Sequence, residues 1–321
     1  MQALLDPSIL FFVFGLLAGA LRSNLEIPAP ISRFLSLYLL MALGLKGGFA
    51  LAASGLNTEV LASLACAVLL AVLVPALGFA WLRRWLNGFD AAAVAATYGS
   101  VSAVTFITAV QFTEARGLAP GGHMAAAMAL MESPAIVMAV LAANALRRRE
   151  GSGAQAMPLR QVLHESLTDG ASLLLLGAMA VGLLTGEAGQ KVMAPFSVDL
   201  FKGMLAFFLL DMGLLAARNA PALLKAPKGL VAYAVLGPLV HAGLALGLSW
   251  AVGLSAGNGA LLMVLAASAS YIAVPAVLRQ AVPEAQPALY FGLSLGLTFP
   301  FNSLLGSPLD TALAQRVLAA A

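Results

Sequence analysis

Charged residues are scarce in this sequence. Only 10% of the 321 residues are Asp, Glu, Lys or Arg, whereas 61% are hydrophobic, and the mean hydropathy is +0.95. A water-soluble globule of this size needs far more polar surface. The composition therefore excludes an ordinary soluble domain and indicates a protein that is solvated by lipid. The net charge of +3 comes from loop Lys and Arg residues and does not point to nucleic acid.

Cysteine and histidine are also rare. The single cysteine, Cys66, lies inside an apolar segment, which excludes a disulfide framework and a cysteine metal site. His123, His164 and His241 are spread over a loop, the central polar segment and an apolar span, so we do not expect a three-histidine metal site. The apolar segments contain no acidic pair, metal motif or nucleophile with a base. We therefore expect neither an enzyme nor a cofactor beyond a coupling ion.

Apolar runs between charged or Gly/Pro-rich breaks predict ten membrane-spanning helices. Most runs have the length that a helix needs to cross about 30 Å of hydrocarbon. We interpret the first run as an uncleaved helix rather than a secretory signal, because no Lys or Arg precedes it and Asp6 stands there instead. The predicted spans are residues 7–21, 31–53, 60–82, 91–116, 123–146, 170–186, 198–217, 229–253, 258–280 and 287–305.

The distribution of Lys and Arg predicts the orientation. Twelve of the 17 basic residues lie on the side of the loops that follow the odd-numbered spans, and such loops are usually cytoplasmic. We therefore expect a bacterial inner-membrane protein with both termini outside and a cytoplasmic central loop at residues 147–169. The amphipathic stretch at residues 159–167 is either a partner surface or, as we prefer, an interfacial segment.

Residues of the first five spans recur in the last five. Tyr38–Gly44 matches Phe207–Gly213 at an offset of 169, and Gly99–Ala103 falls on Ala267–Tyr271 at an offset of 168. Glu132-Ser133-Pro134 falls on Thr298-Phe299-Pro300 at an offset of 166. Because each half has an odd number of spans, a repeat of this kind would be inverted. We expect repeats at residues 1–146 and 170–321.

Spans four and nine each carry a Ser-x-Ser element at mid-membrane depth. Small residues allow the backbone to unwind, and serine hydroxyls can satisfy the freed backbone groups. In inverted repeats the two broken helices would cross, so that two half-helix N-termini would attract an anion while carbonyls and hydroxyls would bind sodium. The competing interpretation is that the serines only help helices to pack. The candidate substrate-binding residues are Gly99, Ser100, Val101, Ser102, Ala103, Ser268, Ala269, Ser270 and Tyr271.

Other polar residues in the spans have two possible roles. Glu132 is either a sodium or proton ligand or a structural hydrogen-bonding group, and Thr298 and Asn302 are either sodium-site groups or interhelical hydrogen-bonding groups. The candidate sodium ligands are Ser100, Ser102, Glu132, Ser268, Ser270, Thr298 and Asn302. Lys46 and Asp211 differ in expected depth by roughly 10 Å, so we do not expect a direct pair. Asp90 and Asn258 precede helical runs and are interpreted as N-caps.

The segment Ala266–Ala276 and its continuation to Asn302 resemble the C-terminal signature of the sodium-dependent bicarbonate permease family. Tyr98–Phe106 resembles its counterpart in the first half. The resemblance implies a five-plus-five inverted-repeat fold similar to bile-acid sodium symporters. It also implies a core of residues 60–146 and 229–305 and a gate of residues 7–53 and 170–217. A homotrimer and, in cyanobacteria, a PII-like cytoplasmic regulator are further implications.

Sodium-coupled bicarbonate uptake is the function that the resemblance implies. The residues themselves indicate a small anion and leave its identity open. The alternatives are sodium-driven uptake of another inorganic or organic anion, sodium/proton exchange, and an anion sensor that does not transport. Exchange is disfavoured because serines, rather than aspartates, stand at the expected crossing.

Overall fold

The protein is all-helical in the residues that the computed structural model describes, which are 7–150, 160, 164, 168, 170–223 and 227–319. The first half contains α1 (Pro7–Ala20), α2 (Ala29–Ser54), α3 (Thr58–Leu82), α4 (Gly88–Gly99), α5 (Ala103–Ala115) and α6 (Met124–Glu150). The second half begins with α7 (Gly170–Ala194), a π-helical turn (Pro195–Asp199), α8 (Phe201–Leu223), α9 (Lys228–Val252), α10 (Ala256–Ala267) and α11 (Ala273–Ala281). It ends with α12 (Pro287–Leu293), α13 (Phe299–Phe301) and α14 (Ser307–Leu318), which are joined by π-helical segments Ser294–Thr298 and Asn302–Gly306.

Six helical segments among the described residues are long and apolar enough to cross a membrane. They are Ala29–Ala53, Thr58–Leu82, Gly88–Ala115, Met124–Arg149, Leu173–Arg218 and Lys228–Val252. The segment Leu173–Arg218 has 46 residues, more than twice the roughly 20 that one crossing needs. It is interrupted at Gly186, whose φ of 53° lies in the left-handed region, at the predicted end of span six. The count of ten crossings stays a prediction, because α1 and α10 are apolar but shorter.

Four helices form one group by close backbone contact. Helix α1 packs along α8, and α2 packs along α7. The contacts centre on glycines: a Cβ atom on Gly15 would overlap the Leu210 carbonyl, and one on Gly48 would overlap the Met179 carbonyl. Small residues permit such approach between helices in lipid. We call α1, α2, α7 and α8 the panel.

The remaining long helices form a second group around the two interrupted segments. Helices α3, α4 and α6 pack against one another, and α10 packs on α9 and α14. Helix α10 also contacts α5 of the first half. We call α3–α6 and α9–α14 the bundle. The Ser-x-Ser elements lie inside the bundle, where every one of their serines is buried.

An ion pair between the buried Arg147 and the more exposed Glu284 fastens the end of α6 to the loop between α11 and α12. The Nε and Nη2 atoms of Arg147 each donate to a different oxygen of Glu284 at 2.7 Å, and Nη2 also donates to the Ala281 carbonyl at 2.9 Å. Hydrogen bonding by Arg147 lowers the pKa of the Glu284 carboxyl. A bidentate pair between an arginine and a carboxylate fixes the relative orientation of the two groups in addition to their charge attraction.

The structure corrects several predicted boundaries and two predicted caps. The helical course after Pro287 reaches Leu318, well beyond the predicted end at residue 305. Asn87 and Ser255 are the N-cap residues of α4 and α10, so the assignment of Asp90 and Asn258 as caps was wrong. Both lie in the first turn and bind loops instead. Asp90 Oδ1 accepts the Gln286 N–H and Asn258 Oδ1 accepts the Gly121 N–H, each at 2.7 Å.

Three further predictions concern the amphipathic stretch at residues 159–167, Lys46 and Asp211. Most of the stretch at residues 159–167 lies outside the described residues. Lys46 pairs with Glu114 at 3.7 Å rather than with Asp211, as the difference in expected depth predicted. Asp211 is buried on α8 with Ser32 nearby.

Replacing Glu284 by Ala should destabilise the protein, because it leaves the Arg147 guanidinium buried without its carboxylate. We expect a loss of about 1–3 kcal/mol, measured as lower thermal stability in nanodiscs. Because the pKa of Glu284 is depressed, its contribution is present above the ordinary value of 4.5 and is lost as pH falls through the folded-state pKa. The matched control is Glu187→Ala, whose pair with Lys191 is exposed. Equal stability of the two variants would contradict the role of the pair.

Candidate sodium and anion site

The first interruption separates α4 from α5 at Ser100, Val101 and Ser102. Ser100 and Ser102 both have extended backbone angles. The Ser102 hydroxyl accepts the Thr105 N–H at 3.2 Å and so caps α5. The N-terminus of α5 therefore starts inside the bundle rather than at a membrane surface.

The second interruption separates α10 from α11 at residues 268–272. Ser268 is extended, with φ −77° and ψ 166°, and α11 restarts at Ala273. The Ser270 hydroxyl accepts the Val274 N–H at 3.3 Å. Pro275 falls in the first turn of α11, where its missing N–H costs no helical hydrogen bond.

The two interruptions bind each other by reciprocal hydrogen bonds. The Ser270 N–H donates to the Thr97 carbonyl at 2.8 Å. In the other direction the Ser102 N–H donates to the Ser268 hydroxyl at 3.0 Å, and that hydroxyl donates to the Leu265 carbonyl at 2.8 Å. The broken segments of the two halves therefore meet at one point, as the motif pair predicted.

Side chains from neighbouring helices also bind the last carbonyls of α10. The Asn302 amide donates to the Ala267 carbonyl at 2.8 Å. His241, which is buried on α9, lies near the Ala266 carbonyl. These carbonyls mark the negative end of the α10 dipole. Ser268 and Asn302 thus fix two of them, the carbonyls of Leu265 and Ala267.

The two π-helical segments place Thr298 and Asn302 at this region. Thr298 is fully buried, donates to the Ala234 carbonyl at 2.8 Å and shares a 2.6 Å hydrogen bond with the Tyr98 hydroxyl. Pro300 lies between the two segments, where it lacks an N–H for the helix. π-Helical turns of this kind often occur at functional sites. Here they turn both polar side chains towards the bundle interior.

Two buried oxygens of the predicted sodium ligands have no hydrogen-bond partner among the described residues. They are Ser100 Oγ and Asn302 Oδ1. A buried polar atom without a partner is costly and calls for an explanation such as a missing ligand. By contrast, the hydroxyls of Ser102, Ser268, Ser270 and Thr298 all have protein partners. Of these residues, Ser100 and Asn302 therefore each have a side-chain oxygen that could coordinate an ion.

The other predicted site residues divide into packing and contact roles. Gly99 faces the Pro75 ring, where a Cβ would lie only 2.5 Å from the nearest ring carbon, so it allows close packing on α3. Val101 and Ala269 are buried and Ala103 is half-buried. Tyr271 is buried, and its hydroxyl lies 3.7 Å from Met212 Sδ on the panel. Glu132 is half-buried on α6, and its role as a sodium ligand stays a prediction.

His241, Tyr98 and Thr97 were not selected from the sequence as site residues. His241 was considered only as a metal ligand, although an ionisable residue in an apolar span is itself a sign of function. Thr97 contributes its backbone carbonyl, so its residue type carries no signal. Tyr98 stands one position before the predicted site residues Gly99–Ala103, and its hydroxyl hydrogen-bonds Thr298.

The family comparison agrees with this geometry. A model of the Na+-dependent bicarbonate transporter superfamily matches residues 7–315. The chain belongs to this superfamily. The resemblance drawn from the two Ser-x-Ser motifs is thereby confirmed, and the chain is a multi-pass membrane protein of a sodium-dependent bicarbonate transport family. A search of curated proteins finds no match to the chain.

Replacing Ser268 by Ala should damage this superfamily member more than replacing Ser270 by Ala. Ser268→Ala leaves the Ser102 N–H and the Leu265 carbonyl without their shared partner, whereas the cross-contact of Ser270 uses its backbone. We expect Ser268→Ala to reduce sodium-dependent uptake by about tenfold or more, which corresponds to the loss of one or two buried hydrogen bonds. Labelled-bicarbonate uptake by proteoliposomes with equal protein content measures the difference. Equal uptake by the two variants would contradict the relay.

Proposed function

We propose that the protein is a sodium-coupled bicarbonate importer in which both ligands bind where the two broken segments meet. The reciprocal hydrogen bonds between Ser270 and Thr97 and between Ser102 and Ser268 are the observation that carries this proposal. They bring together one half-helix from each half of the chain. No packing role alone requires both helices to break at the same place.

The bicarbonate anion would bind at the N-termini of α5 and α11. Helix α5 begins directly after the buried Ser102 and α11 begins three residues after the buried Ser270, and each helix presents N–H groups and a partial positive charge of about one half. A planar oxyanion of bicarbonate size can accept hydrogen bonds from both helix ends at once. This chemistry supports a small oxyanion and favours it over a bulky organic acid.

Sodium would bind at the C-terminal end of α10. Carbonyl and hydroxyl oxygens are the ligands that hard cations prefer. Asn302 Oδ1 beside the end of α10 and Ser100 Oγ in the first interruption have no hydrogen-bond partner among the described residues. The Asn302 side chain already donates to the Ala267 carbonyl, so its oxygen is held by the same contact. A cation and an anion bound a few Å apart would increase each other's affinity, which is the thermodynamic basis of symport.

The contacts also support inverted repeats. Residues 97 and 102 correspond to residues 265 and 270 at the offset of 168, so the direct bond from Ser270 to Thr97 has its counterpart in the Ser102–Ser268–Leu265 relay. The grouping of helices into panel and bundle supports the division into gate and core that the family resemblance implied. We propose that the bundle moves against the panel in an elevator-like or rocking alternating-access cycle.

Orientation, assembly and regulation are further parts of the proposal. The distribution of Lys and Arg supports outside termini and a cytoplasmic central loop in a bacterial inner membrane. A homotrimer and a PII-like regulator rest on the family resemblance alone.

Uptake of labelled bicarbonate into proteoliposomes tests the function. We expect accumulation that requires an inward sodium gradient and disappears when potassium replaces sodium. Binding without accumulation would instead identify an anion sensor. Sodium-dependent uptake of nitrate, sulfate or a small carboxylate, with none of bicarbonate, would keep the coupling and overturn the substrate.

A further inference from the structure

One ion pair crosses the boundary between the panel and the bundle near the C-terminal end of α5. Lys46 on α2 lies 3.7 Å from Glu114 on α5, measured from Nζ to Oε2. The same ammonium lies 5.2 Å from the centre of the Phe201 ring on α8, a distance that allows cation–π attraction. The Lys46 head group is therefore held by the panel and reaches across to the bundle.

The backbone beside this pair is in direct contact. A Cβ atom on Gly47 would lie 2.8 Å from the Gly122 carbonyl oxygen, and one on Gly122 would overlap the Gly47 carbonyl. A cavity of about 80 Å³ remains between the two groups, lined among others by Lys46, Glu114, Gly121 and Leu261. The boundary is thus closed at this end except for a space that fits a few water molecules.

The ion pair has no counterpart in the second half. At the offsets that relate the two halves, Lys46 corresponds to Leu215 and Glu114 corresponds to Val282. Two apolar residues cannot form an ion pair. If two inverted halves were otherwise equivalent, closing the boundary at either end would be similar in energy, so a charge pair at one end makes the two conformations unequal.

We propose that the Lys46–Glu114 ion pair is a latch. It favours the conformation in which the boundary between panel and bundle is closed near the C-terminal end of α5, and it must open in each transport cycle. The proposal rests on the alternating-access function above. Both side chains are partly exposed, at 27% and 43%, and such pairs are modest in strength. The latch therefore biases the equilibrium without locking the protein.

Thiol labelling of a buried cysteine in the boundary tests the latch. Ala125 on α6 lines the cavity and is 3% exposed, so a cysteine there is shielded while the boundary is closed. Cys66→Ala removes the native thiol. In nanodiscs, we expect Lys46→Gln and Glu114→Gln each to increase the rate of maleimide labelling of Ala125→Cys at least threefold. The exchanged pair, Lys46→Glu with Glu114→Lys, should return the rate to that of the parent.

Arg116→Gln is the matched control. This substitution also removes a charge near the C-terminal end of α5, but the Arg116 side chain stacks on Phe112 of the same helix rather than on the panel. Its labelling rate should equal that of the parent. Unchanged labelling in both neutralised variants, or no restoration by the exchanged pair, would overturn the latch. Labelling does not require transport, so failure of bicarbonate uptake with pair-dependent labelling would reject the proposed function and leave the latch standing.

Discussion

The architecture depends on satisfying backbone hydrogen bonds where two helices break in the interior of the bundle. Water is scarce at this depth, so each freed N–H or carbonyl needs a protein partner or a ligand. The two breaks supply partners for each other, directly from Ser270 to Thr97 and through the Ser268 hydroxyl from Ser102 to Leu265. Each break therefore supplies hydrogen-bond partners to the other, and these contacts join the two halves of the chain.

The same contacts explain how ligands can change the conformation. The groups that bind each other at the crossing are of the type that bicarbonate and sodium would use, namely helix N-terminal N–H groups and helix C-terminal carbonyls. Ligand binding would exchange some protein–protein hydrogen bonds for protein–ligand bonds. The ligands would therefore shift the equilibrium between different positions of the bundle against the panel. The size of this shift is set by the difference in ligand affinity between the two conformations.

The sequence predicted the apolar spans and the positions of the helix breaks, but it did not predict which side chains contact each other across the fold. The Ser-x-Ser motifs located both breaks, because small residues and serine hydroxyls act through local geometry. The Lys46–Glu114 pair was missed because it joins residues that are far apart in sequence, and depth arguments compared Lys46 only with Asp211. Asp90 and Asn258 were misread as caps because a side chain in the first turn can bind a distant loop instead.

The most direct test of the shared site is the affinity for bicarbonate measured by titration calorimetry in nanodiscs, once in sodium and once in potassium at equal ionic strength. Two ligands bound side by side with opposite charge predict an affinity about tenfold or more higher in sodium, and an equal effect of bicarbonate on sodium binding. Equal bicarbonate affinity in the two salts would contradict a common site at the crossing of the two broken segments.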